Sequence, residues 1–251
     1  MRRLFLLLFL SPLLFHSCKT SEMGVARIEA KQLAVTDSIA ADPGIEAFIA
    51  PYREHIDKEM DSMLAFAPQD LDKRNGELNT AIGNMMADAV MELAGPIFKE
   101  RTGNKLDMVL LNFGGIRSTI NKGEVTTRTA YQVMPFENEL IVAELKGKHL
   151  QQMIDYLIKA RTAHPIAGME LWIDNQDKVV KALVQGEPIQ DEKSYFVATN
   201  DYLFLGGDNM SFFSNSISET TLNYKIRNLL IDYFRKKDSI APVIDQRFIR
   251  K

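Results

Sequence analysis

The chain of 251 residues is 46% apolar and 25% charged, with a net charge of -3, which is ordinary globular material for one large domain or two small ones. No basic cluster interleaved with aromatics occurs, which excludes the electrostatic footprint of a nucleic-acid binder. A single cysteine, Cys18, excludes an intrachain disulfide.

The first 18 residues differ from the rest: Arg2 and Arg3 precede an almost unbroken apolar run at 4–15, then Ser17 and Cys18. This resembles a bacterial lipoprotein signal, which implies cleavage before Cys18, lipidation of its thiol, and a membrane-anchored location in the cell envelope. A plain secretory signal or an uncleaved anchor would share the apolar run. Residues 19–24 are small and polar, suited to a tether, and the domain is expected to fill 25–251.

Residues 26–35 suggest an edge strand. From Pro43 to about Ala65, Ile45, Phe48, Ile49, Tyr52, Ile56, Met60, Met63 and Leu64 recur at helical spacing, which predicts an amphipathic helix. A second helix is expected from about Thr80, with Asn79 or Thr80 as N-cap, Ile82, Met85, Met86, Ala89, Val90, Leu93 and Ile97 inward, and a break at Gly103. Residues 106–117 (LDMVLLNFGGIR) read as a buried strand that ends in a glycine turn and an arginine. Such a turn can hold an amide and a guanidinium on a rigid support. An ordinary strand-to-loop turn with a surface arginine has the same pattern.

A strand is expected at 139–145, a helix at 148–160, and strands at 168–174, 179–184 and 195–199. The last element is expected to be a helix at 221–237, with Leu222, Ile226, Leu229, Leu230, Tyr233 and Phe234 inward. Helices and strands mix without a strict βαβ rhythm, so the fold class is α+β, a mixed sheet packed with helices.

Three loops at strand ends carry the chemistry: 112–117, 135–138 (PFEN) and 200–208 (NDYLFLGGD). Aromatic faces stack bases, a carboxylate accepts from ribose hydroxyls, and arginine pairs with phosphate. With the segments 83–89 (GNMMADA) and 145–147 (LKG), these loops resemble the C-terminal, substrate-binding domain of the 5'-nucleotidase family, in family order. The resemblance implies a nucleotide or nucleoside ligand. Phe136 and Tyr202 would sandwich the base, Tyr202 standing where the family usually has Phe. Asn112 would contact the base, Arg117 the ribose or phosphate, and Asp208 the ribose hydroxyls, with Gly114, Gly115, Gly206 and Gly207 shaping the loops. A further arginine usually precedes the GlyAsn pair; Arg74 is near it at a different spacing.

Enzymes of that family hydrolyse phosphoesters at two metals held by a separate metallophosphatase domain. Here His16, His55, His149 and His164 are far apart in sequence, with no AsnHis pair, and His55 and His149 read as surface residues of helices. No catalytic residue or metal ligand is therefore expected in this chain. A divalent metal pair is expected only on a partner metallophosphatase subunit. The chain then reads as the recognition half of a split 5'-nucleotidase or, alternatively, as a non-catalytic nucleotide-binding lipoprotein.

Overall fold

A computed structural model describes residues 24–25 and 27–251. The signal segment, Cys18 and nearly all of the tether lie outside the described residues. The chain divides into a unit up to Phe48 and a unit spanning Ile49–Lys251.

Residues 27–35 form no strand, contrary to expectation: Ile28, Leu33 and Val35 are exposed, so no buried face enforces the alternation. Helix α1 (Pro43–Met60) forms where helical spacing placed it, yet none of its residues is buried. It stops five residues short of the expected end at Ala65, because Met63–Ala67 forms strand β1. Ala65 and Ala67 point inward from β1 at period two, and β1 pairs antiparallel with β3 (Gly123–Thr126). Arg128, on helix α3 (Thr127–Val133), bridges Asp57 and Asp61 at the C-terminal end of α1.

Helix α2 (Ala81–Thr102) is capped by Thr80, whose hydroxyl accepts the Gly83 N–H, and ends at Gly103 with φ 77°. Pro96 lies inside the helix.

The central sheet has five strands. Strand β9 (Ser194–Asn200) lies between β4 (Glu139–Lys146), which is antiparallel to it, and β2 (Met108–Leu110), which is parallel. Strand β5 (Ile166–Ala167) borders β2, and β10 (Ser218–Lys225) borders β4. Successive side chains alternate between faces. Val109, Leu140, Val142 and Ala198 pack with α2 and α6 (Ile226–Lys236), whereas Met108, Leu110, Ala143, Leu145, Tyr195 and Val197 pack with α4 (Gly147–Ala160). That second core also takes in the inner face of a four-stranded sheet in the order β11 (Phe248–Arg250), β6 (Met169–Ile173), β7 (Val179–Val184), β8 (Glu187–Pro188).

The helix expected at 221–237 begins only at Ile226; residues before it form β10. Leu222 and Ile226 are both buried, one from a strand and one from a helix, so their helical spacing is coincidental. Threonines at 220 and 221 favour the strand.

The segment 83–89 has a structural task. Asn84 donates to Asn79 Oδ1 (2.9 Å) and the Val243 carbonyl (3.0 Å), and Asn79 donates to the Asp245 and Phe248 carbonyls. Arg247 makes two bonds to Asp88 and further bonds to Asp245. This buried amide pair ties the start of α2 to the strand that edges the second sheet. Asn84→Ala leaves the Val243 carbonyl without its donor and Asn79 Oδ1 with only the Asp245 N–H, so we expect a loss of about 2 kcal/mol. Thermal unfolding should show a drop in Tm of about 4–8 °C.

Candidate functional site

Strand pairing gathers the three loops. Because β2 and β9 are parallel, with Val109 opposite Ala198, the chain leaves both at the same end of the sheet. Because β4 is antiparallel to β9, with Leu140 opposite Asn200, the loop entering β4 arrives at that end too. There, Asn112, Gly114, Gly115, Arg117, Phe136, Asn138, Tyr202 and Asp208 line a cavity of about 430 Å³. Seven of the nine residues singled out in the sequence are brought together. Gly206 and Gly207 are not among the lining residues and instead shape the turn behind Tyr202. A Cβ on Gly207 would lie 2.6 Å from the Tyr202 ring.

Asn112 is nearly buried, and its amide donates to Asp208 Oδ2 at 2.8 Å. The Tyr202 hydroxyl donates to Asp208 Oδ1, also at 2.8 Å. Asn138, which sequence reasoning did not single out, donates to Asp201 Oδ1 (2.9 Å) and so joins the loop before β4 to the one after β9. Asn200 caps the short helix α5 (Asp201–Phe204) by accepting the Leu203 N–H. Arg117 lies 5.9 Å from the Phe136 ring centroid. Lys73 donates to the Ile116 carbonyl (2.6 Å), and burial and the neighbouring Arg117 and Arg74 hold its pKa below the ordinary lysine value. Arg74 itself pairs with Asp72 and is absent from the cavity lining.

Three supporting residues escaped the sequence reading. Arg227 is almost fully buried, donates to the Pro135 carbonyl (3.1 Å), pairs with Glu137, and lies over the Tyr131 ring at 4.2 Å. Lys225 and then Arg227 draw the Glu137 pKa down to about 2. Arg227 therefore fixes the backbone that carries Phe136. A signal for it exists: its i+3 and i+4 neighbours, Leu230 and Ile231, are both core residues of α6. Tyr156 donates to the Asp208 carbonyl at 2.9 Å, and its ring lies 5.6 Å from that of His164. His164 is buried, and its Nδ1 accepts the Phe113 N–H at 3.3 Å, which leaves the ring proton on Nε2. His149, read as a surface residue, is half-buried, with Nδ1 enclosed and lacking a hydrogen-bond partner. Its place beside the fully buried Leu150 outweighs its polar neighbours in sequence.

Among the described residues no three of His, Cys, Asp or Glu gather to hold a metal ion. The donor set among the described residues does not fit a dinuclear metal centre.

The fold is an α+β domain in which three loops at one end of the central sheet enclose a cavity. A profile of the 5'-nucleotidase C-terminal domain matches residues 59–215, and the chain belongs to that family. It is 23% identical, over 90% of its length, to a trifunctional nucleotide phosphoesterase protein, YfkN, of Bacillus subtilis, covering 16% of that protein. It is 25% identical to protein UshA of Yersinia enterocolitica, with 71% of this chain and 32% of that protein aligned. The chain thus spans a third or less of the length of these relatives. The crystal structure of a 5'-nucleotidase precursor from Thermus thermophilus shares the fold, with a TM-score of 0.68 at 23% identity, over 82% of this chain and 42% of that one.

Burial lowers the His164 pKa below 6.5, outweighing the Asp208 charge and a backbone contact at Leu111, which pull it up. As pH falls through 6.5, the unfolded chain takes up a proton that folded His164 resists. Stability is therefore fully present above that value, is lost on acidification, and levels off below the folded pKa. His164→Asn keeps an acceptor for Phe113 and removes the titration. Urea unfolding at pH 7.5 and pH 5 should show a smaller acid loss in the variant; an equal loss would contradict the assignment.

Proposed function

We propose that this chain is the nucleotide-recognition half of a 5'-nucleotidase-type phosphohydrolase and acts with a separately encoded dinuclear metallophosphatase. The lipid on Cys18 would hold it in the cell envelope. One observation carries the reading: a single cavity collects two aromatic rings, an arginine and an amide–carboxylate pair, in the family's fold. The absence of a metal donor cluster among the described residues supports placing the metals on a partner.

In this scheme the base lies between Phe136 and Tyr202, each face contributing about 1–3 kcal/mol. Asp208 accepts from the ribose hydroxyls, Asn112 reads the base, and Arg117 offers its guanidinium to ribose or phosphate. These groups hold the remote part of the substrate so that the phosphate is presented to metals on the partner. Their binding energy is thereby spent on orientation. The same lack of metal donors favours a second reading, nucleotide capture without hydrolysis.

Calorimetric titration with adenosine and AMP tests the pocket. Phe136→Ala should weaken binding by about 10- to 100-fold, the equivalent of one lost stacking face. Mixing with a candidate metallophosphatase should raise phosphate release from AMP, and Asp208→Ala should remove that rise. No rise, with binding intact, favours capture. Hydrolysis of AMP by the purified chain alone, with divalent metal added, would overturn the split arrangement.

A further inference from the structure

Tyr202 does more than offer a ring face. Its hydroxyl donates to Asp208 Oδ1 at 2.8 Å and accepts the Asp208 backbone N–H at 3.2 Å, so the same oxygen holds both the side chain and the main chain of one residue. The ring is seated on Gly207, where any Cβ would collide with it. The turn it closes is unusual, since Gly206, Asp208 and Asn209 all have positive φ, at 91°, 51° and 61°. Non-glycine residues seldom adopt that region, and two such residues in succession need an outside restraint. The paired bonds to Tyr202 supply it, together with the Tyr156 hydroxyl that donates to the Asp208 carbonyl. Phenylalanine would fill the same space and supply neither bond.

The other carboxylate oxygen, Oδ2, accepts from Asn112. Each oxygen of Asp208 is thus fixed by one donor. A carboxylate oxygen can accept two, so each retains capacity facing the cavity. Two adjacent acceptors with fixed orientation match two adjacent donors on a ligand, as in the cis-diol of a ribose.

We infer that the Tyr202 hydroxyl is the specificity-determining group of this pocket. By locking the Asp208 carboxylate and its strained turn, it makes the site select ligands with a vicinal diol over their 2'-deoxy counterparts. The inference rests on the nucleotide-binding reading above. Tyr202 is a positioning residue here, because the hydroxyl acts through Asp208.

The test compares wild type with Tyr202→Phe, which keeps the aromatic face and deletes both bonds. Calorimetry with adenosine and 2'-deoxyadenosine gives the discrimination ratio. In the variant, adenosine affinity should fall about tenfold while deoxyadenosine changes little, so the ratio narrows. Hydrogen exchange read by NMR adds a ligand-free measurement: the Asp208 amide should be protected in wild type and exchange faster in the variant. An unchanged ratio, or tighter adenosine binding in the variant, would overturn the role of the hydroxyl while leaving nucleotide binding standing. If wild type binds neither nucleoside, the nucleotide-binding reading fails and takes this inference with it.

Discussion

Everything at the site depends on how β9 is paired. With an antiparallel neighbour on one side and a parallel one on the other, a single strand sets the ends of both. Backbone hydrogen bonds therefore decide which loops meet, before any side chain in those loops is considered. An all-antiparallel sheet in the same order would send the chain out of β2 at the opposite end, and Asn112 could not reach Asp208. The mixed sheet is thus a functional constraint as well as a way to bury two faces.

Around that frame, the polar groups of the site are held from behind. Arg227 grips the loop before β4 through its carbonyls, His164 accepts from the backbone of the loop after β2, and Tyr156 donates to the backbone of the loop after β9. Each loop has at least one backing side chain from a segment outside it, and the loop after β2 has two, His164 and Lys73. Side chains that bond to main chain fix position without using up the groups that face the cavity. The lining residues consequently bond mainly to each other, as Asn112 and Tyr202 do with Asp208.

Much of this was legible in the sequence. The strands at 139–145 and 195–199, the cap at Thr80 and the break at Gly103 follow from local patterns that the tertiary structure respects, whereas the loop residues around the cavity were marked by the family resemblance. The failures have physical reasons. At α1, helical spacing gave the element but not its burial, since amphipathicity states which face is apolar and not what lies against it. At β10, Leu222 and Ile226 occupy the same core from different elements, so a helical period arises by accident. Arg227, Tyr156 and His164 act through backbone carbonyls and amides at separations of 92, 52 and 51 residues, and no local pattern encodes such a contact.

The tie between Asn79 and Phe248 joins residues 169 positions apart. Closing so long a loop has an entropy cost that grows only slowly with length, but the search for the contact slows folding. β11 pairs parallel with β6 and is itself the edge strand of the second sheet. An open edge of this kind invites pairing with another chain. By anchoring β11, the asparagines of α2 and its lead-in leave only a three-residue strand at that edge.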